Sequence, residues 1–223
     1  MKICVIIPTY NESKEISRLI KEIKQQNLHV LVIDDGSTDS TGQIAKDAGA
    51  EVLINEHNLG KGSSLIKGFE HALKAGFDAV ITLDGDGQHS PLDLPVFLAA
   101  ANASDSQFFV GNRMHQTKGM PLIRIITNKF MSWLLSLVAR QNIPDSQCGF
   151  RLIKKEALGK LNLRTTKYEI ESEMLIRASR LGFKIESVAI TTIYAGAKSK
   201  INPFMDTIRF FKFLLRELWT TRP

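Results

Sequence analysis

The feature that most constrains this chain is a rhythm of short, unbroken apolar runs, each closed by a polar cluster and separated from the next by a segment of helical period. The runs are Ile3–Ile7, Val30–Ile33, Val80–Leu83 and Phe108–Val110, with Glu51–Asn55 as a shorter strand of the same kind. From Ser13 onward, Ile16, Leu19, Ile20 and Ile23 recur at helical spacing. A second helix runs from the Asp34–Asp39 turn cluster to about Gly49, and Ser63–Lys74 reads as a third, stopped by Gly76. Ser90-Pro91 supplies an N-cap followed by proline at the first helical position. Strands this apolar leave no face for solvent, so they belong to a sheet covered on both sides. Their alternation with helices requires a mostly parallel sheet with helices on both faces, an α/β fold.

After Gly111 the pattern changes. Residues 120–139 are helical and amphipathic, 155–161 and 169–181 suit short helices, and Lys184–Thr192 suits a strand. From Phe204 to Trp219, Phe204, Ile208, Phe211, Leu215 and Leu218 share one helical face. The expected organisation is one α/β domain over residues 1–195 and a basic amphipathic tail over 196–223, a length that buries a sizeable core. The first eight residues are too short an apolar run for a signal peptide. No stretch reaches the roughly 18 apolar residues of a membrane span. The nearest, Met131–Ala139, is interrupted by Ser132 and Ser136. Cys4 and Cys148 lack metal-ligand spacing, which makes a reducing cytosol the default.

The formal net charge of +6 admits nucleic acid or an anionic membrane as partner. Its distribution is more informative. Residues 111–143 hold Arg113, Lys118, Arg124, Lys129 and Arg140 and no acid, and residues 196–223 hold six cations against Asp206 and Glu217. The remainder is mildly acidic. Both basic segments are rich in bulky apolar residues, and neither carries an aromatic-basic platform or a nucleic-acid motif, so nucleic acid is excluded as a partner.

In an open parallel sheet, ligands bind beyond the carboxyl ends of the strands. There the sequence places Pro8-Thr9-Tyr10-Asn11-Glu12, Asp34-Asp35-Gly36-Ser37-Thr38-Asp39, Asp84-Gly85-Asp86-Gly87-Gln88-His89 and Gly111-Asn112-Arg113. Asp84 and Asp86, one residue apart across a glycine that permits a tight turn, can reach one hard cation, as Mg2+ or Mn2+ sites with one or two carboxylates require. Asp35 and Glu12 suit the donor groups of a nucleoside, or equally the turn and cap chemistry of their loops. Asn58-Leu59-Gly60-Lys61-Gly62-Ser63 lacks the first glycine of a Walker loop and has Gly62 where Ser or Thr is required, which excludes a P-loop NTPase. No G-x-G-x-x-G follows the first strand. His29, His57, His71, His89 and His115 form no ligand pair; His89 lies beside the acidic cluster or on the surface.

Taken in order, Pro8–Glu12, Asp34–Asp39, Asn58–Gly62, Asp84–His89, Gly111–Arg113 and Asp145-Ser-Gln-Cys-Gly-Phe-Arg151 resemble family 2 glycosyltransferases of GT-A fold, in particular the dolichol-phosphate mannose synthase-like branch. The likeness spans roughly residues 2–200. It implies a sugar-nucleotide donor, UDP- or GDP-linked. Pro8, Tyr10, Glu12, Ile33 and Asp35 would meet the nucleoside, and Asp84, Asp86 and Gln88 the metal and diphosphate. Lys61, Gly85, Arg113 and Lys200 would join the donor side. Asp145–Arg151 and Arg124 would face the acceptor, with Asp145, Asp86 and Arg113 as the catalytic set. Ser199-Lys200 matches the end of the family's R-x-x-G-x-S-K motif, but Tyr194 and Ala197 replace its Arg and Gly.

This resemblance implies inverting transfer by single displacement. A hydroxyl acceptor needs a general base, for which Asp145 is the candidate. A polyprenyl phosphate is already an anion and needs none, and Asp145 would then orient its neighbours. The basic-apolar segments favour the lipid phosphate over a soluble glycan, with Trp133, Leu134, Leu135, Phe210, Phe211 and Trp219 entering the interface. The expectation is a metal-dependent enzyme peripheral to the inner, cytoplasmic face of a membrane, alone, as a homo-oligomer or with an integral membrane partner. A sugar nucleotidyltransferase and a non-catalytic membrane-binding scaffold are the competing readings. The first lacks its Gly-rich signature after the first strand, and the second is opposed by intact Asp84, Asp86 and Gln88.

Overall fold

A computed structural model describes residues 1–191 and, in the C-terminal segment, 210, 212–214 and 217. Lys200 and most of the expected tail, 196–223, lie outside the described residues.

The apolar runs form the strands expected of them: β1 (Ile3–Thr9), β2 (His29–Asp34), β3 (Glu51–Ile54), β4 (Ala79–Thr82) and β5 (Phe108–Asn112). They are joined by β6 (Arg151–Lys154) and β7 (Ile185–Ala189) in one seven-stranded sheet of order β3-β2-β1-β4-β6-β5-β7. Strand β6 runs antiparallel to both neighbours, and every other pairing is parallel. No sequence signal marked β6. Its Arg151-Leu-Ile-Lys154 follows a glycine-aromatic loop and has polar residues at both ends, so it shows neither strict alternation nor a continuous apolar run.

The helices are α1 (Ile16–Lys24), α2 (Thr41–Asp47), α3 (Lys61–Lys74), α4 (Leu94–Ala103), α5 (Leu122–Ala139), α6 (Lys155–Lys160) and α7 (Ile170–Arg180). Helix α1 seats Ile16, Leu19, Ile20 and Ile23 in the core at 0% exposure, as their spacing predicts. Ser90 caps the turn before α4, its side chain accepting from Leu92 N. Cys4–Ile7 and Leu31–Ile33 are wholly inaccessible, which is why these runs tolerate no polar residue until the sheet ends.

Because β6 is reversed, its first residue lies at the same sheet edge as the last residues of β1, β2, β4 and β5. The 145–151 segment therefore enters where the other polar clusters leave. That one reversal completes the site.

Candidate active site

At this edge the carboxylate of Asp84 is wedged between two groups. Lys61 Nζ, from the first turn of α3, lies 2.5 Å from Oδ1. The Gly149 backbone packs on the other side, so closely that a Cβ there would fall 2.6 Å from Oδ2. Lys61 is shared: its Nζ also lies 2.5 Å from Glu171 Oε1 in the first turn of α7. Burial opposes charge on Asp84, but the Lys61 ammonium outweighs it and brings the carboxyl down to about 2. The same pairing, against the penalty of burial, holds the lysine above its ordinary range.

Asp86 is in the opposite situation. Burial, followed by the nearby charge of Asp84, pushes its carboxyl up to about 6. Its Oδ1 accepts from Gln88 N at 3.0 Å, which closes the turn. Gly85 is required between the two acids because a Cβ would meet Thr9 Cγ2 at 2.8 Å. Among the described residues, no cluster of three or more His, Cys, Asp or Glu side chains is placed to hold a metal. Two carboxylates one residue apart, one of them short of a cation, are the hard, incomplete set that Mg2+ or Mn2+ fills with phosphate oxygens and water. These residues therefore fit a divalent ion.

Arg113, just beyond β5, forms a bidentate pair with Asp145, Nε to Oδ2 at 2.8 Å and Nη2 to Oδ1 at 2.9 Å, and its backbone N donates to Oδ2 as well. Asn128 Nδ2 of α5 donates to Asp145 Oδ1 at 2.7 Å. Ser132 Oγ lies 3.0 Å from Asn128 Oδ1 and accepts from Ser146 N at 2.8 Å. Burial alone would raise the Asp145 pKa, but the bonds and charge of Arg113 hold it below the usual carboxylate range. Asp145 is thus 0% exposed and paired with Arg113.

Arg151 is 0% exposed and donates to the carbonyls of Cys148, Ser146 and Glu171, so it ties the 145–151 loop to α7. Ile33 is likewise wholly buried and can offer a ligand only backbone. Asp35 accepts from Asn55 Nδ2, Leu59 N and Gly60 N at 2.8–3.0 Å, fastening the 55–60 loop to the end of β2. Pro8 and Glu12 are half-buried at the edge and Tyr10 is exposed. Arg124 stands half-buried in the first turn of α5.

Sequence reading overlooked Glu171, Asn128 and Ser132. Asn128, Ser132 and Ser136 stand four residues apart within an otherwise apolar helix, a polar stripe whose spacing was a usable signal. His89 is buried at 2% exposure, so the surface alternative falls. A groove of about 890 Å3 beside the 160–169 loop is lined by none of the strand-end residues.

Helix α5 has a second face. Leu122, Ile123, Ile126, Phe130, Trp133 and Leu137 are 49–72% exposed along one side. By length and composition alone this 18-residue helix, of mean hydropathy 1.4, could cross a membrane, so the apolar stretch is longer than Met131–Ala139. Its inner face, with Asn128, Met131, Ser132 and Leu135, is committed to the domain.

A family model described as "Glycosyl transferase family 2" matches residues 4–161. A UDP-N-acetylglucosamine–dolichyl-phosphate N-acetylglucosaminyltransferase of Methanococcus voltae is 33% identical, covering 86% of either chain. An undecaprenyl-phosphate mannosyltransferase of Micrococcus luteus is 31% identical over 86% of this chain and 84% of its own. Among solved structures, a glucosyl-3-phosphoglycerate synthase from Mycobacterium tuberculosis, in complex with Mn2+, UDP and glucosyl-3-phosphoglycerate, superposes with a TM-score of 0.77. It covers 96% of this chain and 79% of its own at 20% identity, a likeness of fold.

Proposed function

The chain belongs to glycosyl transferase family 2, and we propose that it moves a sugar from a nucleotide-diphosphate donor to a polyprenyl phosphate at a membrane surface. It is a glycosyltransferase of GT-A fold; donor, acceptor and location are the proposal. The polyprenyl-phosphate relatives and the mixed character of α5 support the acceptor. The Mn2+ and UDP of the structural neighbour support the donor class.

The observation that carries the proposal is the state of Asp145. A hydroxyl acceptor must lose a proton, yet the carboxylate expected to take it has both oxygens engaged by Arg113 and Asn128 and a depressed pKa, which makes it a poor base. A phosphate monoester attacks as an anion and needs no base. The architecture thus suits a phosphate acceptor better than a hydroxyl.

Asp84, Asp86 and Gln88 would hold the divalent ion, which when bound supplies charge neutralisation at the diphosphate. Arg113, fixed by its bidentate pair, presents its remaining N–H donors toward the leaving diphosphate, where charge grows as the glycosidic bond breaks. Lys61, at the N-terminus of α3, adds a second cation. Asp35 shapes the nucleoside wall by holding the 55–60 loop, with Tyr10 and Glu12 opposite. The outer face of α5 and its flanking Lys118, Arg124, Lys129 and Arg140 would meet an anionic lipid surface, apolar side inward and cations at the headgroups. Lys200 and the tail are proposed to share these roles.

The test is a panel of UDP- and GDP-sugars with Mg2+ or Mn2+ and vesicles containing polyprenyl phosphate, following nucleoside diphosphate release and lipid-linked sugar. One donor should be consumed in step with lipid product, and Asp86→Ala should abolish turnover while the protein stays folded. Full activity of that variant, or release of nucleotide with no lipid product under any donor, would refute the proposal.

A further inference from the structure

Behind the carboxylate pair, Cys148, His89 and Asp84 stand in line, and the chemistry above uses neither of the first two. The His89 ring packs against Phe150 at 5.6 Å between centroids, and Phe150 stacks on Phe97 at 4.4 Å, so the imidazole is wedged in a fixed orientation. Its Nε2 lies 3.8 Å from Cys148 Sγ. Its Nδ1 is buried and has no hydrogen-bond partner among the described residues. It faces Asp84 Oδ2 from 3.9 Å, about 1 Å too far for a bond. A buried N–H left unpaired costs roughly 1–3 kcal/mol, which makes the position one that needs a reason.

The thiol determines which nitrogen carries the proton. Cys148 Sγ has two acceptors in reach, His89 Nε2 and Phe150 O at 3.9 Å. The carbonyl already accepts Gly111 N at 2.8 Å, whereas among the described residues Nε2 has no hydrogen-bond contact besides the thiol. A thiol proton directed at Nε2 leaves the imidazole proton on Nδ1, aimed at Asp84.

We propose that Cys148 and His89 form a positioning relay that presents an Nδ1–H donor to Asp84 Oδ2 and orients this carboxylate for its ligand. The relay rests on the reading of Asp84 and Asp86 as the metal site. Oδ1 is held by Lys61, so the orientation of the carboxylate turns on what holds Oδ2, beside which the Gly149 backbone packs and toward which His89 Nδ1 faces. Although Cys-His-Asp is also the order of a nucleophilic triad, this thiol is wholly buried, and burial pushes its pKa up to about 12. It is a hydrogen-bond donor and not a nucleophile.

The test uses the full chain, Mn2+ and UDP, with free Mn2+ read by electron paramagnetic resonance. His89→Asn keeps an N–H near the place of Nδ1, and His89→Gln moves the amide toward that of Nε2. The relay predicts that His89→Gln weakens Mn2+ binding about 10–100-fold, as loss of a partner to a metal ligand does, while His89→Asn stays close to wild type. In 15N-histidine spectra of the wild type, His89 should be the Nδ1–H tautomer, and its Nδ1 signal should move when Mg2+ and UDP are added. An Nε2–H tautomer, or wild-type affinity in His89→Gln, would overturn the relay while leaving the metal site in place. Failure of the wild type itself to bind Mn2+ with UDP would overturn both.

Discussion

Under the proposed function, side chains at the sheet edge divide into those that would meet substrate and those that hold them, Arg113 of the first kind and Asp145 of the second. Arg113→Gln removes a cation from the leaving group and should lower kcat about 100–1,000-fold with folding intact. Asp145→Asn leaves the arginine in place but unpaired on one side, and should lower kcat less while leaving the acidic limb of the pH profile unchanged. Loss of an ionisation with apparent pKa in the working range would return Asp145 to the role of base. Asp86 makes a separate prediction. Its carboxyl titrates at about 6 in the metal-free protein, and only the ionised form binds a cation. Raising the pH through that value frees the ligand, so Mn2+ affinity should be level above it and fall by about tenfold per pH unit below it. Unchanged affinity down to pH 5 would show that Asp86 is not a ligand.

Among the elements, α5 carries two jobs on opposite faces. Inward, Asn128 and Ser132 brace Asp145 and Ser146; outward, Phe130 and Trp133 stand 49% and 58% exposed with rings 6.0 Å apart. Substitutions should separate the two. Trp133→Glu alters a side chain that is 58% exposed and should change stability by no more than about 0.5 kcal/mol, yet cut sedimentation with anionic vesicles and transfer to a lipid acceptor by an order of magnitude or more. Asn128→Leu should leave vesicle binding unchanged and reduce kcat, because Asp145 Oδ1 loses one of its two donors and keeps only Arg113. Equal vesicle binding by wild type and Trp133→Glu would remove α5 from the membrane contact. The helices and six of the seven strands were legible because burial wrote their period directly into the sequence. Strand β6 was not, since its reversal depends on where Phe150 and Leu152 find space between β4 and β5. Its entry at the site edge follows from topology and not from local pattern.

For the molecule as a whole, the acidic strand ends and the two basic segments were readable by position, and so was the set of residues that would converge. Their protonation and pairing were not. Nothing in Asp84-Gly-Asp86 says that one carboxyl sits near 2 and the other near 6; that asymmetry comes from Lys61, a residue 23 positions earlier brought in by α3. Nor does Arg151 announce that its guanidinium is spent on three carbonyls. Long-range pairing assigns such roles, and only the fold reveals it. The resulting picture is a domain whose charge is sorted in space, an acidic cleft for metal and diphosphate and a basic, apolar helix for the lipid side. The central claim is that this site serves an acceptor that is already an anion. Vesicles containing equal amounts of a polyprenyl phosphate and the corresponding polyprenol, supplied with the active labelled sugar nucleotide and Mg2+, test it most directly. The account predicts label on the phosphate alone; label on the free alcohol at a comparable rate would contradict it.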